Sequence, residues 1–253
     1  DGLWDVYNQF HMGNAGELCA ARYQFSRQQV DDFAMESYSR AREAITAGSF
    51  TREIVPVEVP QKKGAPLIVV DDEEPNRVDL SRLRQLKPVF QDDGVLTVGN
   101  SPSCNDGAAA LVVMAEEEAH RLGLPPMARI VGYAGAALAP EWFTIAPIDA
   151  IRRLLKQTEL TVSDIDLFEI NEAFSAVSLA ITRELGLDAK KVNVNGGAVA
   201  LGHPIGATGA RILTTLLYAM EERDAHRGIA SLCIGGGEAL ALLVERPRKI
   251  QHQ

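Results

Sequence analysis

What most limits the folds open to this chain is the alternation that begins after Pro125-Pro126. Short apolar runs that read as strands (130–133, 165–170, 192–195, 229–234 and 239–244) are separated by stretches of helical period (147–157, 173–185 and 205–222). Pro147 suits a first helical turn, Ile148, Ile151, Leu154 and Leu155 recur on one face of that helix, and Gly186 closes the next one. The final pair of apolar runs, joined by a glycine turn, reads as a β-hairpin. Repeated strand–helix units predict an α/β domain, and such domains hold ligands beyond the carboxyl ends of their strands.

Residues 1–103 have a different texture. Ser26-Arg27-Gln28-Gln29 has the form of a capping box, Val30, Phe33, Ala34, Ser37, Ala41 and Ile45 keep a helical period behind it, and Gly48 ends the helix. Residues 54–60 alternate like a strand, but their prolines confine them to an edge. Residues 60–79 read as a surface excursion. The small, apolar run 108–114 is expected to be a buried strand or the start of a helix, with Glu116-Glu117-Glu118 continuing as a solvated helical face.

Charge excludes one class of function. Acidic residues outnumber basic ones by 34 to 25, for a net charge of −9, so the broad basic face of a general nucleic-acid binder is not available. Local cations such as Lys62-Lys63 or Arg82 and Arg84 can still hold a phosphorylated small molecule, although solvated surface explains them better. No apolar stretch is long enough to cross a bilayer. The three widely spaced cysteines do not form a disulfide framework, and the opening residues lack a secretory pattern, which together predict a cytoplasmic protein.

Three clusters carry chemistry: Asn171-Glu172-Ala173-Phe174, the run 193–209 around His203, and Cys233-Ile234-Gly235-Gly236-Gly237. Each follows a predicted strand, so a sheet would bring them together. Taken singly each has a structural explanation, because glycine runs make turns and a lone cysteine is often a small buried hydrophobe. Together they suggest acyl chemistry on a thioester. Sulfur and imidazole would move protons while bare glycine N–H groups meet an oxyanion, and those N–H groups are expected to favour the Cys233 thiolate. Glu172 and Glu238 can be proposed as acid/base carboxylates, but Glu238 is better read as the start of the last strand and Glu172 as an alternative orienter of its neighbours. Gly202-x-x-x-Gly206-x-x-Gly209 is not a dinucleotide fingerprint and lacks the Lys-Ser/Thr of a triphosphate loop. Cys233 and His203 have no paired ligands at short spacing, so no metal site is expected.

These three clusters, with His11-Met12-Gly13, Leu86-Lys87-Pro88-Val89-Phe90 and Asn105-Asp106-Gly107-Ala108-Ala109-Ala110, resemble the signatures of the thiolases, enzymes that make or cleave a β-ketoacyl-CoA. The resemblance runs along almost the whole chain, and His11-Met12-Gly13 is similar to the short-chain, acetoacetyl-CoA branch. It implies a layered α/β half-domain of the αβαβα fold preceded by an α+β loop domain. Residues 1–103 would be part of the loop domain, 104–125 the last segment of the first half, 126–248 the second half, and 249–253 a tail. The bulk of the first half, with the cysteine that becomes acylated, is expected to be missing, and the chain alone inactive. Neither Cys19 nor Cys104 has a visible activating base.

The resemblance also implies roles. Cys233 would be the acid/base cysteine, His203 the residue that activates the nucleophile and donates to an oxyanion, Asn171 the holder of a water in that oxyanion hole, and Gly235 an N–H donor to the acyl carbonyl. Leu3, His11, Met12, Phe90, Ala173 and Phe174 would line the pantetheine channel. Phe143, in a bulky stretch where the family has small residues, would narrow the acyl pocket, and Pro102 replaces a pantetheine-contacting serine. Coenzyme A thioesters are implied as substrates, with no resident cofactor. The implied partners are a second copy of the chain, as a dimer or tetramer, and a separately supplied first half. The competing expectation is a non-catalytic, CoA-binding or scaffolding fragment.

Overall fold

The computed structural model describes residues 2–247, so the 249–253 tail lies outside the described residues. A short ribbon, β1 (Trp4–Asp5) with β2 (Phe10–His11), leads into helices α1 (Met12–Arg22) and α2 (Arg27–Ala47). The Ser26 hydroxyl accepts from the Gln29 N–H while the Gln29 side chain accepts from the Ser26 N–H, so the expected capping box forms. Gly48 closes α2 in the left-handed conformation at φ 76°. Beyond it β3 (Val57–Val59) pairs antiparallel with β4 (Leu67–Val69), and α3 (Glu74–Arg77) follows. The excursion expected at 60–79 therefore contains a strand of its own, which three exposed apolar residues without alternation did not signal.

Residues 105–114 correct an expectation. They hold no helix or strand, and Val112, Val113 and Met114 are exposed. No strand of the sheet described below pairs with this run, and of its larger apolar side chains only Leu111 packs against a core. After it come α4 (Glu116–Arg121), β5 (Arg129–Ala137), α5 (Ala146–Gln157), β6 (Leu167–Ile170), α6 (Ser175–Leu185), α7 (Ala198–Leu201), α8 (Thr208–Glu222), β7 (Arg227–Ile234) and β8 (Glu238–Glu245).

These strands form a four-stranded sheet in the order β5-β8-β7-β6, with β6 parallel to β7 and the remaining pairs antiparallel. Alternate residues point to opposite faces of a strand. Phe168, Ile170, Ile229, Ala239, Ala241 and Leu243 accordingly pack with α5 and α6 in one core. Leu167, Ala230 and Val244 pack on the other face against Ile212, Leu216 and Met220 of α8. A smaller core joins Ala34, Tyr38 and Ala41 of α2 to Val199 and Ala200 of α7. The sheet is thus covered on both faces, and the loops after β6 and β7 emerge at the same end.

The stretch 192–195, expected as a strand, makes only isolated bridges, Val192 to Phe168 and Val194 to Gly196. Asn193 adopts φ 46°, and its side-chain amide takes the place of a strand neighbour. Its Oδ1 accepts from the Ile170 N–H at 2.8 Å and its Nδ2 donates to the Ile170 carbonyl at 2.8 Å.

Candidate active site

Strand β6 runs on into Asn171, whose N–H donates to the Ser231 carbonyl of β7 at 2.9 Å. Asn171 is 1% exposed, and its Nδ2 lies 3.3 Å from Nε2 of His203. The other ring nitrogen, Nδ1, is 2.7 Å from Oγ1 of Thr208 in the first turn of α8. That hydroxyl donates its single proton to the Pro204 carbonyl at 3.1 Å. With that proton on the Pro204 carbonyl and the Asn171 Nδ2 donor at Nε2, the contacts fit an Nδ1–H tautomer whose Nε2 lone pair points toward Asn171. Burial, and secondarily the positive charge of Arg211, holds the His203 ring down at about 4, so it is neutral at physiological pH. Oδ1 of Asn171 is buried without a hydrogen-bond partner, an acceptor open to a water or a substrate N–H.

The turn bearing His203 is held from several sides. The His203 N–H donates to the Ser103 carbonyl at 3.0 Å, and Cys104 forms a parallel bridge with His203, so the 103–107 segment runs alongside. Gly202 has φ 90° and presses against the Asn105 amide, a position no side chain could occupy. Glu172 is the hub of the region. It accepts from Ser37 Oγ at 2.8 Å, Asn193 Nδ2 at 2.9 Å and the Val199 N–H at 3.0 Å, tying α2 and α7 to the end of β6. Burial pushes its carboxyl up, against those three donors. Its contacts make Glu172 an organiser of the loop, as one of its sequence readings held. Glu238 begins β8.

Cys233 lies on β7, just past the end of its pairing with β6, and is half-buried against the core that also contains Met12, Phe143 and Phe174. Burial pushes its thiol up to about 12. The expected thiolate-favouring environment is therefore not what surrounds the resting sulfur, because desolvation outweighs the backbone hydrogen bond that favours the charged form. Gly235 in the following turn is in van der Waals reach of Met12, since a Cβ there would sit 2.9 Å from Met12 Cε. Gly237 has φ 111° and abuts the Leu138 carbonyl.

The residues expected to line a channel form a connected group. His11 caps α1, its Nδ1 accepting from the Gly13 N–H at 3.0 Å, and its ring stacks on Phe90 with centroids 5.1 Å apart. Phe90 meets Phe174 edge-on at 5.8 Å. The Met12 N–H donates to the Leu3 carbonyl at 2.9 Å. Met12, Phe143, Ala173 and Phe174 are buried, whereas the Leu3 side chain is exposed. Of the remaining cysteines, Cys19 is fully buried and pushed up to about 12 by desolvation, and Cys104 is exposed. A separate cavity of about 260 Å³, between Arg22, Trp142, Asp149 and Arg152, is lined by none of these site residues. Among the described residues no group of three or more His, Cys, Asp and Glu is arranged to hold a metal ion, and no helix is long and apolar enough to cross a membrane. Thr208, Arg211 and Ser37 carry no motif that sequence reading could have found. Their parts depend on pairings across the fold.

In a mixed sheet covered on both faces, an imidazole and an amide meet at the end of β6, and the parallel neighbour β7 carries the Cys233 thiol. The chain belongs to the thiolase family: residues 1–117 match the family model described as Thiolase, N-terminal domain, and residues 124–246 match Thiolase, C-terminal domain. The acetyl-CoA acetyltransferase of Cupriavidus necator is 51% identical over 247 residues, which cover 97% of this chain and 63% of that protein. The acetyl-CoA acetyltransferase of Pseudomonas aeruginosa is 50% identical with the same coverage, 97% and 63%. The crystal structure of the Bacillus anthracis acetyl-CoA acetyltransferase is similar with a TM-score of 0.94 at 43% identity, covering 97% of this chain and 62% of that one. The Acat5 thiolase from Ascaris suum in complex with coenzyme A has a TM-score of 0.92 at 43% identity, covering 98% of this chain and 63% of that one. The chain spans less than two thirds of the length of these relatives.

Proposed function

We propose that this chain carries the proton-transfer groups of an acetyl-CoA C-acyltransferase, acting reversibly on short-chain β-ketoacyl-CoA such as acetoacetyl-CoA. The observation that carries the reading is the series Asn171–His203–Thr208, which presents a neutral imidazole nitrogen beside an unpartnered amide oxygen at the end of β6. A base that is neutral at pH 7, with its second nitrogen tied down, is what thioester proton transfer needs. Cys233 serves as the acid/base on the α-carbon. In condensation its thiolate takes a proton from the acetyl methyl, and the resulting carbanion attacks the acyl thioester, forming the C–C bond and expelling the acyl-carrying thiolate. In cleavage that thiolate adds to the β-keto carbon, and the Cys233 thiol returns a proton to the α-carbon as the C–C bond breaks. The Cys233 thiolate then takes the proton of the CoA thiol, whose sulfur captures the acyl group and releases the acyl-carrying thiolate. The elevated pKa of Cys233 makes the acid of the cleavage direction the resting form.

Asn171 holds the water that completes one oxyanion hole, and the Gly235 N–H contributes to a second. Losing one such donor typically costs about 3 kcal/mol of transition-state stabilisation. Leu3, His11, Met12, Phe90, Ala173 and Phe174 line the pantetheine path, and Phe143 limits the acyl group. The acyl-carrying nucleophile is not Cys19, whose thiol is sealed in the core; Cys104 is exposed on the segment bridged to His203, and this reading gives it no acyl group either. In this reading the segment to residue 103 belongs to a loop domain, 104–125 closes the first half, and the second half begins at 126. We place the chemistry in the cytoplasm, in keeping with three unpaired cysteines, and infer assembly of like chains as a dimer or tetramer.

The test uses acetyl-CoA in deuterated buffer. Deuterium should enter the acetyl methyl above the buffer rate, and intact-mass spectrometry should find no acetyl adduct on the chain. Cys233→Ala should abolish the exchange. A stoichiometric adduct on Cys19 or Cys104, or exchange that survives Cys233→Ala, overturns the reading.

A further inference from the structure

Two ties run in parallel from β6 to α8. One is the site's own series, Asn171–His203–Thr208. The other lies one step back on the same face of the strand, where Glu169 and Asn171 are neighbours by strand alternation. Glu169 is 2% exposed and accepts from Arg211 at 3.1 Å, and Arg211 stands one helical turn beyond Thr208, on the same side of α8. We propose that Arg211 is a positioning residue: its hydrogen bond to Glu169 fixes the first turn of α8 against β6 and so keeps Thr208 at Nδ1 of His203, selecting the tautomer whose Nε2 faces the substrate.

Geometry supports the choice of Arg211 over its neighbours. α8 has no side-chain N-cap, Gly206 and Gly209 flank its start, and a Cβ at either glycine would meet open space. Thr208 is itself buried and Ile212 on the same face packs in the core, but both glycines are exposed. Arg211 is the polar side chain that ties this turn directly to β6. Its guanidinium is the common cation for groups arriving from several elements: Glu169 and Glu172 from β6 and its continuation, Glu53 from beyond α2, and Asp72 from beyond β4. Its positive charge also opposes protonation of the His203 ring, second to burial. Glu53 in turn accepts from Thr215, the next turn of α8, at 3.2 Å, so the same cluster clamps the helix twice. A planar fork with fixed donor directions suits this task better than a flexible ammonium.

The inference rests on reading His203 as the site's base, but it is tested without substrate. Long-range 1H–15N spectra of the imidazole distinguish the tautomers directly, and His203→Asn identifies the resonance among the five histidines. The wild-type ring should be an Nδ1–H tautomer. In Arg211→Met it should become a mixture, with the titration midpoint raised by about one pH unit as the neighbouring cation is lost. Arg211→Lys, which keeps charge near the ring, should return the midpoint toward wild type. Removing Arg211 alone strands a buried carboxyl group, so the double variant Arg211→Met/Glu169→Met, which replaces both polar partners by apolar groups, serves as the folded comparison. Its spectra should match those of the single variant. A folded double variant that keeps the Nδ1–H signature and the wild-type midpoint overturns the proposal, while wild-type deuterium exchange would continue to support the function. Absent exchange with the tautomer change intact would sink the function alone.

Discussion

At the scale of single residues, the site is defined by two side chains held away from their ordinary protonation behaviour. Burial lowers His203 from 6.5 to about 4 and raises the Cys233 thiol to about 12. For His203 the consequence for stability has a definite sign. Between those values the unfolded chain binds a proton that the folded state refuses, so stability from this residue is complete above pH 6.5 and is lost as pH falls toward 4. Replacing His203 with Asn should flatten the acid limb of a plot of Tm against pH over that window. Superimposable limbs for the two proteins would contradict the assignment. The amide of Asn171 has a different vulnerability: Asn171→Ala leaves His203 Nε2 without its donor, so the histidine's 15N signal should shift while Tm changes by no more than about 1–3 kcal/mol worth of lost hydrogen bonding. An unchanged His203 signal would deny the contact.

At the scale of elements, backbone geometry decides which turns tolerate change. Gly237 combines φ 111° with a close approach to the Leu138 carbonyl, whereas Gly64 at φ 88° has nothing within 4 Å of where a Cβ would stand. Gly64→Ala should cost only the left-handed penalty of about 1–2 kcal/mol. Gly237→Ala should cost distinctly more, because the hairpin that carries Cys233 must open to admit the methyl group. Urea midpoints of the two variants provide the comparison, and equal losses would refute it. The same elements mark how far sequence reasoning reached. The capping box at Ser26, the closing glycines 48 and 186, α5 and the β7–β8 hairpin were legible because each is encoded within a few residues. The convergence of Asn171 and His203 was legible through strand ends. Residues 108–114 and β4 were misjudged because exposure depends on which partner strands exist, and no local pattern records that. Thr208 and Arg211 were invisible for a related reason: their importance lies in whom they meet, and both look like ordinary positions on a helix. The protonated state of Cys233 was missed because glycine N–H groups are visible in a sequence and desolvation is not.

At the scale of the whole molecule, the polar cluster on the α8 face sets a pH response opposite to that of His203. Glu53 is raised to about 7 and Glu169 to about 8, chiefly by burial. A carboxyl raised on folding contributes stability below its unfolded value near 4.5 and loses it as pH climbs through the folded value. The protein should therefore grow less stable from about pH 6.5 to 8.5, once the histidine contribution is complete. Glu53→Gln keeps an acceptor for Thr215 and removes one ionisation, so this decline should become shallower, as calorimetry across that range can establish; an unaltered slope would rule out Glu53 as its source. One further property of the assembly follows from Asn193. The sheet ends at β6, and an open margin ordinarily invites foreign chains to add on. Here a carboxamide already occupies the donor and the acceptor of Ile170. The margin is stoppered at the end of β6 that leads into Asn171, so that end can remain open to solutes without becoming a template for accretion.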